Sequence, residues 1–574
     1  MKKPSSLLQK WLFLLLIIYL SLLGVRDLFK PGFYESHDGI IHVMRLAHFD
    51  DALRKGQFPV RWLPTWMAGY GSPVFNYIWP LPYYAGSFLH VIGFSFETAV
   101  QIIFLLGFIS SGLFFYIFIN EILDDRLAAL VGSVFYLWAP YRFTNIFVRG
   151  ALGEATAMLY LPLMFWLVVR VHKRQSTFYS NILAITWALL ILTHNIMAIV
   201  FSVATFIFGA LLTISTKHKI SFTYLVLRAF ILGAGLSTVY WLPALAESGL
   251  VRVNEYLRYS YSQHFVPFSA LLYSPWRYAY AWPQDQRFSM SFQVGWVHLT
   301  MALLSFFLIG VSLKKVKMRD SVITLWVFSI IVSVISVFLI CPTGKFFLDR
   351  FPVIALLNYP WRLLVVVAFS LSCFAACVVK LTLRFKIIVA ILLIVLVVGY
   401  GWNFARIISW PYSATDITYR KMVRTNVGFL PDAEFLPPEI VYHELLDRRG
   451  LAENHEFFEA TDYSQITIQG FQKHNLLYTA SIQNQSPTTI RANTFYFPGW
   501  QIRLDNQPMS LNKDQFGLIN FTIPAGRHEV RLMYTNTPIR ALAADLNLII
   551  LGIFLVLITT LPFKRRLVNL LYKR

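Results

Sequence analysis

The stretch Asn181 to Ile214, NILAITWALLILTHNIMAIVFSVATFIFGALLTI, contains no Asp, Glu, Lys or Arg. A helix crosses the hydrocarbon core of a bilayer with about 20 residues, so this run is long enough for nearly two crossings. Its one polar interruption, Thr193-His194-Asn195, divides it into spans at 180–194 and 196–214. The rest of the chain agrees. It is 57% hydrophobic and 14% charged, where soluble domains carry about 25% charge. The mean hydropathy is +0.56. A soluble multi-domain enzyme, a disordered chain, a fibrous repeat and a disulfide scaffold are excluded by these values. Cys341, Cys373 and Cys377 have no metal or redox spacing and read as small apolar side chains.

Ten further apolar runs lie at Leu8–Val25, 98–119, 127–141, 154–171, 223–241, 295–313, 321–341, 361–379, 387–403 and 541–562, giving about twelve spans. The first follows Met1-Lys2-Lys3 without a small-residue cleavage site and reads as an anchor. The run 81–93 is short and Pro-rich and reads as a re-entrant or interfacial piece. Lys173-Arg174, Lys217, Lys219, Lys314-Lys315-Lys317-Arg319, Lys380 to Lys386 and Lys564-Arg565-Arg566 then share one side. The excess of Lys and Arg makes that side cytoplasmic, with both termini on it. The acidic loop Asn120–Arg126 fits poorly there. The net charge of +21 is assigned to this anchoring. No basic stripe with interleaved aromatics points to nucleic acid.

The segments 26–97, 242–294 and 404–540 fall outside. In 404–540, stretches such as Gln465-Ile466-Thr467-Ile468, Leu477 to Ile482 and His528 to Tyr534 alternate with period two. Turn residues separate them at Pro498-Gly499, Asp505-Asn506 and Pro524-Ala525-Gly526. The expectation is a polytopic α-helical membrane protein. Residues 1–403 form the transmembrane domain, 404–540 an extracytoplasmic β-sandwich-like domain, and 541–574 the last span and a basic tail. The β domain either docks a substrate or braces the fold.

Ionisable residues near membrane depth are candidate functional groups. The first outer segment carries Ser36-His37-Asp38 followed by His42 and Arg45. In a helix, Asp38, His42 and Arg45 share a face. A carboxylate there can act as a general base or hold a divalent cation. A helix start capped by Ser36 accounts for Ser36 and Asp38 but not for His42 and Arg45. The next outer loop offers Arg149-Gly150-Ala151-Leu152-Gly153-Glu154. Its glycines allow close backbone approach to a ligand, Arg149 can fork onto a phosphate, and Glu154 can serve as second acid or metal ligand. A helix cap with a Glu in its first turn is the alternative. Outer loops 142–153 and 342–362 also carry Arg142, Lys345, Arg350 and Arg362 against the charge rule. Either the map is locally wrong or these cations meet an anion. His194 and Asn195 sit at an outer turn, and Glu247 opens the long loop holding His264, Tyr273 to Tyr280 and Trp282. Its aromatics form an interfacial belt or stack on sugars. Trp361-Arg362 stands at the mouth of a span, where Arg362 neutralises a lipid phosphate or snorkels.

These residues resemble a known family. Ser36-His37-Asp38, His42, Arg45, Arg61-Trp62, Gly69-Tyr70-Gly71, Pro80 to Tyr84, Pro140-Tyr141-Arg142, Arg149-Gly150-Ala151, Glu154, Leu192 to Asn195, Trp241 to Ala244, His264-Phe265-Val266 and Pro360-Trp361-Arg362 resemble the bacterial membrane proteins called 6-pyruvoyl-tetrahydropterin synthase-related. Phe497 to Trp500, Asp505 and Pro524 to His528 look like the closing domain of YfhO-like membrane proteins. The soluble pterin synthase is a zinc enzyme with three histidine ligands, a pattern not reproduced here. The resemblance implies instead the architecture of C-type (GT-C) glycosyltransferases of a bacterial inner membrane. These use a polyprenyl-phosphate or polyprenyl-diphosphate sugar and an envelope glycan or protein acceptor. By it Asp38, Glu154 and His42 are candidate catalytic groups. His37, Arg45, Arg149, His194, Asn195, Glu247, His264, Trp361 and Arg362 are candidate substrate contacts. Mg2+ or Mn2+, if present, would lie on Asp38 and Glu154, although the His-Asp pattern departs from the paired acids of such enzymes. The alternatives are a lipid-linked saccharide transporter or flippase, and a non-catalytic envelope assembly protein.

Overall fold

The computed structural model describes residues 6–279, 281, 283, 289–315, 320–382, 385–409, 411–412, 414–419, 432–461 and 466–571. Met1-Lys2-Lys3, Tyr280, Trp282, Lys317, Arg319 and Gln465 lie outside them, as do the side chains of Lys314, Lys315 and Lys564-Arg565-Arg566. The described chain is mostly helical, with a region of β-strands between its last two apolar helices. Seven helices are long and apolar enough to cross a membrane: Phe96–Leu123, Leu152–Arg174, Asn195–Ser215, Lys219–Leu236, Asp320–Ile340, Pro360–Leu381 and Pro538–Thr559. Five shorter apolar helices accompany them, at Leu8–Gly24, Arg126–Leu137, Thr177–Thr193, Trp296–Val311 and Lys386–Gly401.

The long apolar run breaks at its polar triplet. One helix ends at Thr193 and the next begins at Asn195, with the His194 side chain accepting from the Met197 amide at 3.2 Å. Such a cap satisfies one of the amides that a helix start leaves open. Two other expected spans are shorter than their apolar runs. The run 127–141 stays helical only to Leu137, and Pro140 opens a separate turn. The run 223–241 divides between Lys219–Leu236 and Thr238–Ala246.

The acidic loop Asn120–Arg126 is explained by its neighbours. Glu121 pairs with Lys173 at 3.0 Å and Arg170 at 3.3 Å, and Asp125 with Lys380 at 3.6 Å and with Lys386. The acids thus share the end of the bundle that holds the basic cluster and neutralise part of it. At the other end the chain leaving Lys386–Gly401 returns over residues 26–97, the segment that the charge pattern reads as the first outer segment. Pro411–Tyr412 pairs antiparallel with Phe33–Tyr34, and Tyr419 donates to Glu97 at 2.5 Å.

The strands form two sheets. A four-stranded sheet has the order 458–460, 488–495, 518–523, 512–513. A five-stranded sheet has the order 466–474, 477–484, 526–534, 500–504, 507–509. The pairing is antiparallel throughout. This β-region sits on the first outer segment. Tyr70 O accepts from Phe495 N at 2.9 Å and from Thr494 at 3.1 Å. Trp62, fully buried, packs edge-on against Trp500 at 5.6 Å and meets the tilted ring of Tyr534 at 5.4 Å. Gly71, at φ +88, lies so close to Trp62 that a Cβ would stand 2.6 Å from the ring.

Candidate functional site

The polar residues gather where the first outer segment meets the loop 149–154. The backbone amides of His37 and Asp38 donate to the carbonyls of Val148 and Arg149 at 3.0 and 2.8 Å. Gly150, at φ +61, makes this approach possible: a Cβ there would lie 2.4 Å from Ser36 Oγ and 2.7 Å from Gly39 N. Gly153 is required in the same way by Trp79, whose ring a Cβ would meet at 2.4 Å. The expectation that these glycines admit a ligand is therefore corrected. They admit the protein's own outer segment.

Glu154 is fully buried, and both carboxylate oxygens have polar neighbours. Tyr141 and Asn145 donate to Oε1 at 2.8 and 3.1 Å. Arg149 and Arg362 stand at 2.8 and 3.2 Å from Oε2. A carboxylate held by two guanidinium groups is a poor base and offers little to a metal ion. In this structure Glu154, expected as second acid or metal ligand, anchors two arginines. Among the described residues no group of three or more His, Cys, Asp or Glu side chains is placed to hold a metal ion. The arginines are braced by aromatic faces. Arg149 lies 4.5 Å over Trp361, and Arg362 lies 4.9 Å over Tyr359. Trp361 and Tyr359 stack at 4.8 Å, and His264 meets Tyr359 edge-on at 4.7 Å. Arg362 also donates to Leu357 O at 3.1 Å. One of the two guanidinium charges stays without a paired carboxylate among the described residues.

Asp38 is half-buried and caps the helix Gly39–Arg54 by position only, since its side chain accepts no cap hydrogen bond. The N-cap position is Asp38 and not Ser36, two residues later than expected, and Asp38 lies near enough to Arg149 to interact with its charge. His42 is buried. Its Nδ1 lies 2.7 Å from the Tyr83 hydroxyl and 3.4 Å from Arg45. Burial, with the nearby Arg45, holds its imidazole well below the ordinary range and keeps it neutral. Trp79 lies between two imidazoles, 5.6 Å from His42 and 5.6 Å from His194. His37 Nε2 is 2.8 Å from Ala279 O, which ties it to the second long loop.

Arg45 does not face an open site. It forks onto Asp432, with Nε at 3.0 Å from Oδ2 and a second contact from Nη2. This pair fixes the turn Ala433–Phe435 over the centre and brings in Glu434. Phe435 stacks on Tyr77 at 5.7 Å, and Leu436 O accepts from Arg252 N at 3.1 Å. Burial beside Asp432 pushes the Glu434 carboxyl up to about 7.

Three expected residues lie elsewhere. Glu247 accepts from Arg540 at 2.8 and 3.0 Å, from Asn76 at 2.7 Å and from Thr537 at 2.6 Å. It joins the final helix to the first outer segment. Asn195 is exposed and accepts only from the Ile196 amide, at 2.9 Å. Arg142, expected among the outward cations, is buried between Phe108 and Tyr136, 4.7 Å from each ring, and donates to Ser111 at 2.7 Å. The sequence reading missed Trp79, Asn145, Asp432 and Glu434, and it gave no role to Tyr83, Tyr141 or Tyr359, though these three stand in stretches it singled out. Asp432-Ala433-Glu434 announces itself only as two acids between apolar residues.

An apolar groove of about 310 Å³ lies near Arg362. Its lining includes Ile199, Val203, Ile335, Leu339, Leu357 and Leu363. Leu363 follows Arg362, and Leu357 is the residue whose carbonyl accepts from it.

Comparison with known proteins is consistent with a membrane protein. The chain is similar to an uncharacterized protein of Lactococcus lactis subsp. cremoris (strain MG1363), 22% identical over 251 residues, or 42% of this chain. The matched part covers 41% of that relative's length. A family model described as the 6-pyruvoyl-tetrahydropterin synthase related domain, a membrane protein, matches residues 75–407. The chain belongs to the 6-pyruvoyl-tetrahydropterin synthase-related family of membrane proteins.

Proposed function

We propose that this protein is a membrane glycosyltransferase with the GT-C arrangement. It would move a sugar from a polyprenyl-phosphate donor to an envelope acceptor at the outer face of a bacterial inner membrane. The seven long and five shorter apolar helices would make about twelve spans, with both termini cytoplasmic. One observation carries the reading: an apolar groove lies near Arg362, which shares Glu154 with Arg149. An anion on an isoprenoid tail matches that combination. The tail would lie among Ile199, Ile335 and Leu339, and the phosphate would meet the guanidinium groups.

The chemistry falls to Asp38. Its carboxylate holds no hydrogen bond or ion pair among the described residues and lies near Arg149. It would take the acceptor hydroxyl proton as the acceptor oxygen bonds to the anomeric carbon. The bond from that carbon to the phosphate oxygen breaks, and its electron pair leaves on the phosphate. Arg149 and Arg362 stabilise that charge in a site poor in water. His42, neutral and bound to Tyr83, orients Arg45 and does not move the proton. The groove alone would also suit a flippase of the same lipid; the open carboxylate favours chemistry. The test is sugar transfer from labelled undecaprenyl-phosphate glucose by the full chain in nanodiscs, with and without chelator. Transfer by the wild type, its loss in Asp38→Asn and retained lipid binding are expected. Lipid movement across the bilayer without any labelled product contradicts the reading.

A further inference from the structure

We propose that the groove near Arg362 recognises only the two or three isoprene units next to the phosphate, through their methyl branches, and leaves the rest of the tail in the bilayer. The inference rests on the transferase reading, which places a polyprenyl phosphate there. It adds which part of that lipid the chain selects.

Two helices supply the walls, each with a single face. On Asn195–Ser215 the lining residues recur every three and four positions from Ile196 to Ile207, and on Asp320–Ile340 they do so from Val332 to Leu339. Ile196 stands two residues after His194, which stacks on Trp79 in the polar centre. Leu357 and Leu363 tie the groove to Arg362, the first through its carbonyl at 3.1 Å and the second as the next residue. The rim and the floor differ in size and exposure. Ile199, Val203 and Ile335 are half-exposed, so the groove opens sideways between the helices. Ala204 and Ser336 are buried in its floor, two small side chains among Ile, Val and Leu.

The volume sets how much tail fits. A cavity of about 150 Å³ holds benzene, with its six carbons. The groove has about 310 Å³, room for on the order of a dozen carbons or two to three five-carbon units. The wall from Ile196 to Ile207 gives a similar answer: it is about 16 Å long at the helical rise, and an extended isoprene unit covers roughly 5 Å with ordinary bond lengths. A tail entering from a bilayer exchanges one apolar surrounding for another, so its gain comes from packing and not from leaving water. Only the units against the walls contribute. Methyl branches fill the space above Ala204 and Ser336, whereas a straight acyl chain leaves it empty and forfeits those contacts. The groove therefore tells an isoprenoid phosphate from the phospholipids around it, and is indifferent to tail length beyond the third unit.

The experiment uses the full chain in phosphatidylcholine nanodiscs. Farnesyl, geranylgeranyl and undecaprenyl phosphate, and unbranched dodecyl phosphate, compete against labelled undecaprenyl phosphate, with affinities compared at equal mole fraction in the bilayer. The three isoprenoid phosphates agree within about twofold, while dodecyl phosphate binds about tenfold more weakly, as lost packing over two or three branches would give. Val203→Trp fills the groove from its half-exposed rim and weakens farnesyl phosphate about tenfold. Ile214→Trp, on the same helix but outside the groove and exposed, leaves it unchanged. Affinity that climbs steadily from farnesyl to undecaprenyl phosphate overturns the proposal and spares the transferase reading. Equal binding of dodecyl and farnesyl phosphate overturns it too, as does a Val203→Trp variant with wild-type affinity. If none of the four phosphates binds, the donor placement of the transferase reading fails, and the proposal with it.

Discussion

Replacing Glu154 by glutamine removes one negative charge from a place where two guanidinium groups share it. The new side chain still accepts from Tyr141 and Asn145, now 2.8 and 3.1 Å from Oε1. What it loses is the charge facing Arg149 at 2.8 Å and Arg362 at 3.2 Å. Removing one partner of a buried ion pair costs about 3–5 kcal/mol, because the remaining charge stays desolvated and unpaired. Two such charges remain here, so the variant belongs at the upper end of that range. An anion delivered to the same place would replace the missing carboxylate. Thermal unfolding in detergent, with and without undecaprenyl phosphate, reads both effects. The variant alone has a clearly lower apparent Tm, and the lipid phosphate raises it by more than it raises the wild type. An unchanged apparent Tm would refute the idea that Glu154 holds these arginines. Equal lipid-induced shifts in variant and wild type would refute their role as the phosphate site.

Arg540→Met breaks the buried pair with Glu247 and destabilises the chain by about 3–5 kcal/mol, while undecaprenyl phosphate affinity in the surviving folded fraction is unchanged. Gly150→Ala forces a non-glycine residue to φ +61 with its Cβ 2.4 Å from Ser36 Oγ; the expected result is poor folding yield, whereas Gly209→Ala, with open space around it, expresses normally. His42 has its folded pKa depressed by burial and Arg45, so its contribution to stability is present above about pH 6.5 and is lost as pH falls toward the folded value. His42→Gln therefore shows a shallower fall in apparent Tm between pH 7 and 5 than the wild type does, and an equal slope would contradict its neutral, buried state. Asp432→Asn frees Arg45 and loosens the turn 433–435, which faster proteolysis near that turn would report.

The membrane class and the helical runs were legible because hydropathy depends on local composition. Thr193-His194-Asn195 marked a boundary correctly, since a polar triplet and a capping side chain act within a few residues. The acidic loop 120–126 looked anomalous because its counter-charges Lys173, Lys380 and Lys386 are far away in sequence. The same limit governs the site. Arg149 with Glu154 and Tyr359 with Trp361 are near in sequence, and the motifs pointed to them. Residue type showed that Glu154 and Glu247 carry charge, but only packing shows that each is already bound. Asp432 and Glu434 reach the centre through Arg45, a contact across 387 residues. No periodicity could predict that pairing.

Undecaprenyl phosphate and undecaprenol share a tail and differ only in the phosphate. Their binding to the wild-type chain in nanodiscs tests the central claim without any substitution. The account predicts that the phosphate-bearing lipid binds at least about tenfold more tightly, as one charge-assisted contact would give, and that high salt narrows the difference. Equal affinity for the two lipids, or binding of neither, would contradict it.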